Sequence, residues 1–162
     1  MRLKISKVFR PCAVEEEDEL FPNGLFVFNV TKLALHLTSN QDDFPVEQVA
    51  VSSLGLTSSN LDENTVRNAD LSRPLLLAEI APSGFNVIDG NHRVARARLD
   101  GIAMLPAQRV GPKVHQRFLT SVESYQEYVR YWNAKVRDQE RRDRMYPKTL
   151  DSVNKIETVD PK

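Results

Sequence analysis

Asn86-Val87-Ile88-Asp89-Gly90-Asn91-His92-Arg93-Val94-Ala95-Arg96-Ala97-Arg98-Leu99-Asp100-Gly101 is the stretch whose reading decides the fold. Val87 and Ile88 run as a strand into Asp-Gly-Asn, a turn signal. A helix is expected to start on His92-Arg93 and to end at Asp100-Gly101. Ala95, Leu99 and Ile102 fall at the i, i+4, i+7 spacing of a core-facing stripe. A glycine turn that feeds a helix leaves the first backbone N–H groups unpaired at the positive end of the helix dipole. Such an end accepts an anion, most often phosphate. His92 and Arg93 add charge-assisted donors for the same anion, and Arg96 and Arg98 follow along the helix. The competing reading makes Asp89 or Asn91 simply the helix N-cap.

With phosphate as ligand, each residue type has a role. Gly90 lets the backbone approach closely. The amides from Asn91 to Arg93 cradle an oxygen, and the Arg93 guanidinium grips it with two donors. His92 donates to the same group and makes binding pH-dependent. Asp89 binds magnesium or orients an attacking hydroxyl, with an Asx-turn or cap as its alternative role. Asp89 and His92 are therefore the candidate catalytic residues, and Asp89 the candidate metal ligand. With a nucleoside triphosphate, transfer depends on positioning and charge neutralisation. An arginine at a helix N-terminus is expected to be exposed, so Arg93→Ala should abolish binding and spare the fold.

Asp89-Gly90-Asn91-His92-Arg93-Val94-Ala95-Arg96-Ala97 resembles the signature of the ParB/sulfiredoxin superfamily, Gly-x-(His/Arg)-Arg-x-x-Ala. Val49 to Leu54 is similar to that family's opening strand and the leucine after it, and Leu61 to Ala69 to its next helix. Pro74 to Ile80 resembles its second strand, Phe85 to Ile88 returns in a hairpin, and Ile102 to Val110 resembles the closing strand. The resemblance spans roughly residues 45–112. It implies an α+β fold: a small mixed β-sheet flanked by helices. The expected layout is an N-terminal extension with an acidic run (1–44), a ParB/sulfiredoxin-like core (45–112), a C-terminal helical region (113–144) and a flexible tail (145–162).

The resemblance also bears on chemistry. It implies ATP or CTP as ligand, magnesium as cofactor, and a phosphate grip at Gly90, Asn91, His92, Arg93 and Arg96. The helix before it would supply Thr65 and Arg67 as further contacts, with Arg73 beyond, although a solvated helix face is the plainer account of these. Sulfiredoxins attack with a cysteine where this chain has Asn91, and the single cysteine is Cys12. Asparagine offers no thiolate, so sulfinic-acid reduction is not expected. The chain is short for the helix-turn-helix and dimerisation domains of partition proteins. Free-serine kinases carry a variant closer to this string, with an upstream acidic base for which Glu47 and Glu79 are the nearest candidates. Two functions follow: an enzyme that hydrolyses or transfers phosphate or cleaves nucleic acid, as in stand-alone plasmid or bacterial members, or a non-enzymatic, nucleotide-gated module that binds DNA or a protein. DNA and a second copy of the chain, as a homodimer, stay open as partners.

The rest of the chain sets bounds. The 22 basic and 22 acidic residues cancel, so DNA binding would need a local basic patch. One cysteine excludes an internal disulfide, and His36, His92 and His115 are too widely spaced for a metal-ligand motif. No apolar run approaches the ~20 residues of a membrane span, and the opening lacks a secretory core. A cytoplasmic protein without membrane contact is expected.

Glu15 to Glu19 is a run of like charge, read as a solvated loop or as a mobile arm that competes for the basic pocket. Leu25 to Phe28 is strand-like, Thr31 to Leu37 is strand or helix, and His36 is a core-edge histidine rather than a ligand. Thr57 to Asn60 reads as a loop before a helix cap. Thr120 to Glu123 has capping-box spacing. The helix after it carries Tyr125, Val129, Trp132 and Val136 as a core stripe, with Tyr128 and Tyr131 beside it; core is the reading adopted, base stacking its alternative. Residues 135–144 are either a phosphate-contacting tail or an ordinary helix with Asp138–Arg142 and Glu140–Arg144 pairs.

Overall fold

The computed structural model describes residues 1–55 and 61–146, so the 57–60 loop and nearly all of the 145–162 tail lie outside the described residues. Among those described, the chain is a mixed α+β fold with two sheets and five α-helices. A hairpin of β1 (Leu20–Asn23) and β2 (Phe26–Asn29) leads into α1 (Val30–Ser39). A four-stranded sheet follows, built from β3 (Glu47–Ala50), β4 (Leu75–Ala81), β5 (Gly84–Asp89) and β6 (Met104–Val110) in the order β3-β6-β4-β5. Between β3 and β4 lies α2 (Glu63–Asn68), and between β5 and β6 lies α3 (Asn91–Leu99). The chain then forms α4 (Pro112–His115) and the long α5 (Val122–Met145). Only β4 and β6 run parallel, with Leu75 beside Ala107; the crossover between them passes through β5 and α3.

The central strand β4 explains the layering. Its run Leu75-Leu76-Leu77-Ala78 is apolar at every position because both faces of the sheet are covered. Leu75 and Leu77 point to one side and pack with Val87, Leu105 and the α3 residues Val94 and Ala97. Leu76, Ala78 and Ile80 point to the other, against α1 and the α5 stripe of Tyr125, Val129, Trp132 and Val136. The stripe read from sequence is therefore core, and Tyr128 joins it fully buried. His36 is half-buried against the rings of Phe44 and Phe118, as a core-edge residue.

Three expectations are corrected, and for the acidic run the solvated loop holds over the mobile arm. On α3 the core face is Val94 and Ala97, while Leu99 is 77% and Ile102 41% exposed. The helix starts at Asn91, right after the Gly90 turn, and that turn rotates Ala95 and Leu99 toward α2 rather than the sheet. The N-cap of α5 is Ser121, accepting from the Ser124 amide at 3.0 Å; Thr120 donates instead to the Val27 carbonyl. In α5, Glu140 pairs with Arg2 at 2.7 Å rather than with Arg144. The acidic run does not reach the Gly90 turn. Asp18 accepts from Asn29, the N-cap of α1, at 2.7 Å, and Lys32 holds Glu15 at 2.9 Å. The Glu15 backbone N–H, with the Asn29 amide second, keeps the Asp18 carboxyl below its ordinary range. The positive end of α1 is thus where these negative charges settle.

The residues before this run lie along α5. Asn133 exchanges two 2.9 Å hydrogen bonds with the backbone of Leu3, Trp132 donates to the Met1 carbonyl, and Phe9 stacks on Tyr125 at 3.9 Å.

Beneath the sheet, His115 is fully buried. Its Nε2 donates to the Glu79 carbonyl at 2.9 Å, and the Tyr128 hydroxyl donates to the same oxygen at 3.2 Å. Its Nδ1 has no hydrogen-bond partner among the described residues. Burial pushes the imidazole down to about 4, the carbonyl contact only partly opposing it. The unfolded chain takes up this proton as pH falls through 6.5, whereas the folded chain does not until about 4. Stability is therefore complete above pH ~6.5 and declines toward pH ~4, by on the order of 3 kcal/mol from this residue. The His115 ring resonances should stay those of neutral imidazole at pH ~5.5 while the urea midpoint falls over the same window; titration of the ring near its ordinary value would refute this.

Candidate functional site

The turn at Gly90 places the site. Gly90 has φ 101°, in the left-handed region, and a Cβ there would meet the side chain of Leu75 and lie 2.8 Å from Nε and one Nη of Arg93. Only glycine meets both demands. The helix it starts has no side-chain cap, although Asn29, Asp62 and Ser121 cap α1, α2 and α5. Helix geometry gives the amides of His92 and Arg93 no acceptor within α3.

This end of α3 opens on a cavity of about 510 Å³, a size ordinary for ligand pockets. One wall is Asp89, Gly90, His92 and Arg93. The facing wall is α2 and the turn after it, with Thr65, Asp70 and Arg73. Five of the residues singled out from sequence, Asp89, Gly90, His92, Arg93 and Thr65, thus converge, and Arg73 joins them.

Arg93 is not the exposed residue expected. It is only 7% exposed and folds back beneath Gly90. Its Nη2 donates to Asp89 at 3.0 Å and to the Pro74 carbonyl at 3.2 Å, and its buried Nε has no hydrogen-bond partner among the described residues. Removing it would strand Asp89 and the turn, so the expectation that Arg93→Ala spares the fold is withdrawn.

Three other candidates lie elsewhere. The Asn91 side chain is buried and turned back to the Val87 carbonyl at 3.3 Å, and Asn91 does not line the cavity. Arg96 bridges Asp100 at 3.1 Å and the Ala69 carbonyl at 2.9 Å, tying α3 to the turn after α2. Arg67 lies across α2, facing Glu63 at 3.6 Å beside an apolar depression that includes Val66 and Leu99. Glu47 pairs with Arg109, and Glu79 accepts from the Ser83 amide at 2.9 Å; neither lines the cavity.

Sequence reasoning missed Asn64, Asn68 and Asp70, all on the α2 wall. The i, i+4 pair Asn64 and Asn68, opposite the buried Val66, was the available signal. Asp70 is fixed by the Ser72 hydroxyl at 2.6 Å and the Ser72 amide at 2.9 Å. These bonds, with the charges of Arg73 and Arg93 behind them, hold its carboxyl below the usual range. Two carboxylates, Asp70 and Asp89, therefore face two guanidiniums, Arg73 and Arg93. No group of three His, Cys, Asp or Glu side chains suited to a metal comes together among the described residues. No helix among them is long and apolar enough to cross a membrane.

Comparison with protein-family models, with curated proteins and with solved structures gives no match.

Gly90→Ala combines a strained backbone with a collision, and should cost about 3 kcal/mol. Denaturant unfolding of the two proteins checks this, and an unchanged midpoint would show that the turn tolerates a side chain.

Proposed function

We propose that the cavity between α2 and α3 binds the phosphates of a nucleoside triphosphate, and that the chain is a single-domain member of the ParB/sulfiredoxin superfamily. The observation that carries the proposal is the uncapped start of α3, opening from Gly90 into a cavity shared with His92, Arg73 and the partly unsatisfied Arg93. The Asp89 to Ala97 string supports the superfamily assignment, together with the order strand, helix, hairpin, helix, strand from β3 to β6.

Arg73 and His92 are the donors free to adjust to a ligand, because Arg93 is tied to Asp89 and Pro74. Arg93 acts from below, as the charge that sets the turn. The balance of two arginines against two carboxylates suits a phosphate that arrives with a cation better than a bare polyanion. A magnesium ion carried by the phosphates needs only one or two protein carboxylates, and Asp89 and Asp70 are the ones that line the cavity. Bound, it would neutralise charge on the transferring phosphate. ATP and CTP are both candidates: among the described residues the cavity lining includes no Phe, Tyr or Trp ring to sort nucleobases by stacking.

Turnover is the second reading. His92 borders the cavity and its ring makes no hydrogen bond among the described residues, so it is the group available to orient or deprotonate a nucleophile. Asp89 is held by Arg93 and is better suited to positioning than to taking the proton itself.

Calorimetry with ATP, CTP and GTP, with and without magnesium, tests the reading. Arg73→Ala and His92→Ala should each weaken binding at least ~10-fold, about 1.4 kcal/mol, and leave unfolding unchanged. Phosphate release by the parent that is lost in His92→Ala would establish turnover. Absence of nucleotide binding by the parent would end the proposal.

A further inference from the structure

The body of the protein holds α5 only as far as Val136. Every residue from Arg137 to Tyr146 is exposed, although the helix continues to Met145. About 13 Å of helix therefore projects without packing. Packing of an apolar face is what usually stabilises a helix in a protein, and this segment has none. Its charges are not scattered evenly. At about 100° per residue, Arg130, Arg137, Arg141 and Arg144 fall within about 60° of each other and form a ridge about 21 Å long.

The nearby acids do not cancel the ridge. Glu140 pairs with Arg2 at 2.7 Å, and Asp143, which accepts from the Gln139 amide at 2.8 Å, lies about 100° round the helix from Arg144. Asp138 sits to one side, in a shallow depression where Lys135, Arg141 and Arg142 outnumber it. Glu127 pairs with Arg130, whereas Arg137, Arg141 and Arg144 form no ion pair among the described residues. The overall charge of zero makes this a local feature rather than a consequence of a basic protein.

We propose that the projecting end of α5 binds the phosphate backbone of duplex DNA through Arg137, Arg141 and Arg144. Charge complementarity selects this partner. A line of guanidiniums matches a line of phosphates, and each one bound releases a counterion. Three positions on one helical face fix register on a backbone but read no bases, so the contact is sequence-independent. A helix lying on a membrane would need an apolar face beside the basic one, and among the described residues from Arg137 onward the exposed apolar ones are Met145 and Tyr146 at the tip. The inference is independent of the nucleotide cavity, which α3 builds on the other face of the sheet.

Fluorescence anisotropy with a labelled duplex of about 20 base pairs, in salt from about 50 to 200 mM, tests it. The parent should bind at low salt, with log K falling against log salt at a slope near −3. The triple variant Arg137→Gln, Arg141→Gln, Arg144→Gln should bind at least ~10-fold more weakly and lose most of the slope. Its thermal midpoint should match the parent, since all three side chains are exposed. The corresponding triple lysine variant should retain binding. Three results would overturn the proposal: no DNA binding by the parent at low salt, equal binding by parent and glutamine variant, or binding of the parent to phosphatidylserine vesicles but not to DNA.

Discussion

Everything in the sheet-and-helix body depends on one exclusion: there is no room for a Cβ at residue 90. Leu75, fully buried on the central strand, occupies that space from one side, and Arg93 closes it from another. Strand β5 must therefore pass to α3 through a left-handed residue, and the helix axis is set by that single step. The same step leaves the first turn of α3 without a side-chain cap and opens it toward α2. Core packing, chain reversal and the candidate site are one event at one position. Arg93 joins them chemically, because its guanidinium links the end of β5 through Asp89 to the start of β4 through Pro74.

The sheet works as a partition. Alternate residues of β4 feed two separate cores. The smaller, with Val94 and Ala97 of α3, supports the cavity. The larger, with α1, α5 and the N-terminal strap, supplies bulk, and it also contains a polar knot in which His115 and Tyr128 share the Glu79 carbonyl. A small domain needs such bulk to bury enough apolar surface. Strain at the site side and mass at the other are thus divided between two faces of the same strands.

How much of this could be read from residues alone differed by element. The α5 stripe was legible because one face of a long helix repeats four times, and repetition makes periodicity reliable. The β4–β5–α3–β6 order was legible as what the resemblance to the ParB/sulfiredoxin pattern implies, with the turns at Gly90 and Gly111 as local support. The α3 face was not: its Ala-Arg alternation offers two apolar stripes, and only the rotation imposed by Gly90 chooses Val94 and Ala97 over Ala95 and Leu99. Arg93 was misplaced for a related reason. Its charge argued for exposure, while its real partners, Asp89 and the Pro74 carbonyl, are a strand end and a residue 19 positions away. Asn64, Asn68 and Asp70 were missed because short polar side chains on a short helix look alike whether they face solvent or a cavity.

The strap along α5 bears on how the chain is made. Leu3 finds Asn133, and Met1 finds Trp132, across about 130 positions of sequence. Synthesis proceeds from the N-terminus, so residues 1–9 leave the ribosome long before the helix on which they dock. Loop closure over that distance is slow relative to local pairing. Until α5 emerges, Leu3, Phe9 and the apolar face of β2 have no cover. The face of the sheet that α3 covers can therefore be complete while the face that α5 covers is still bare.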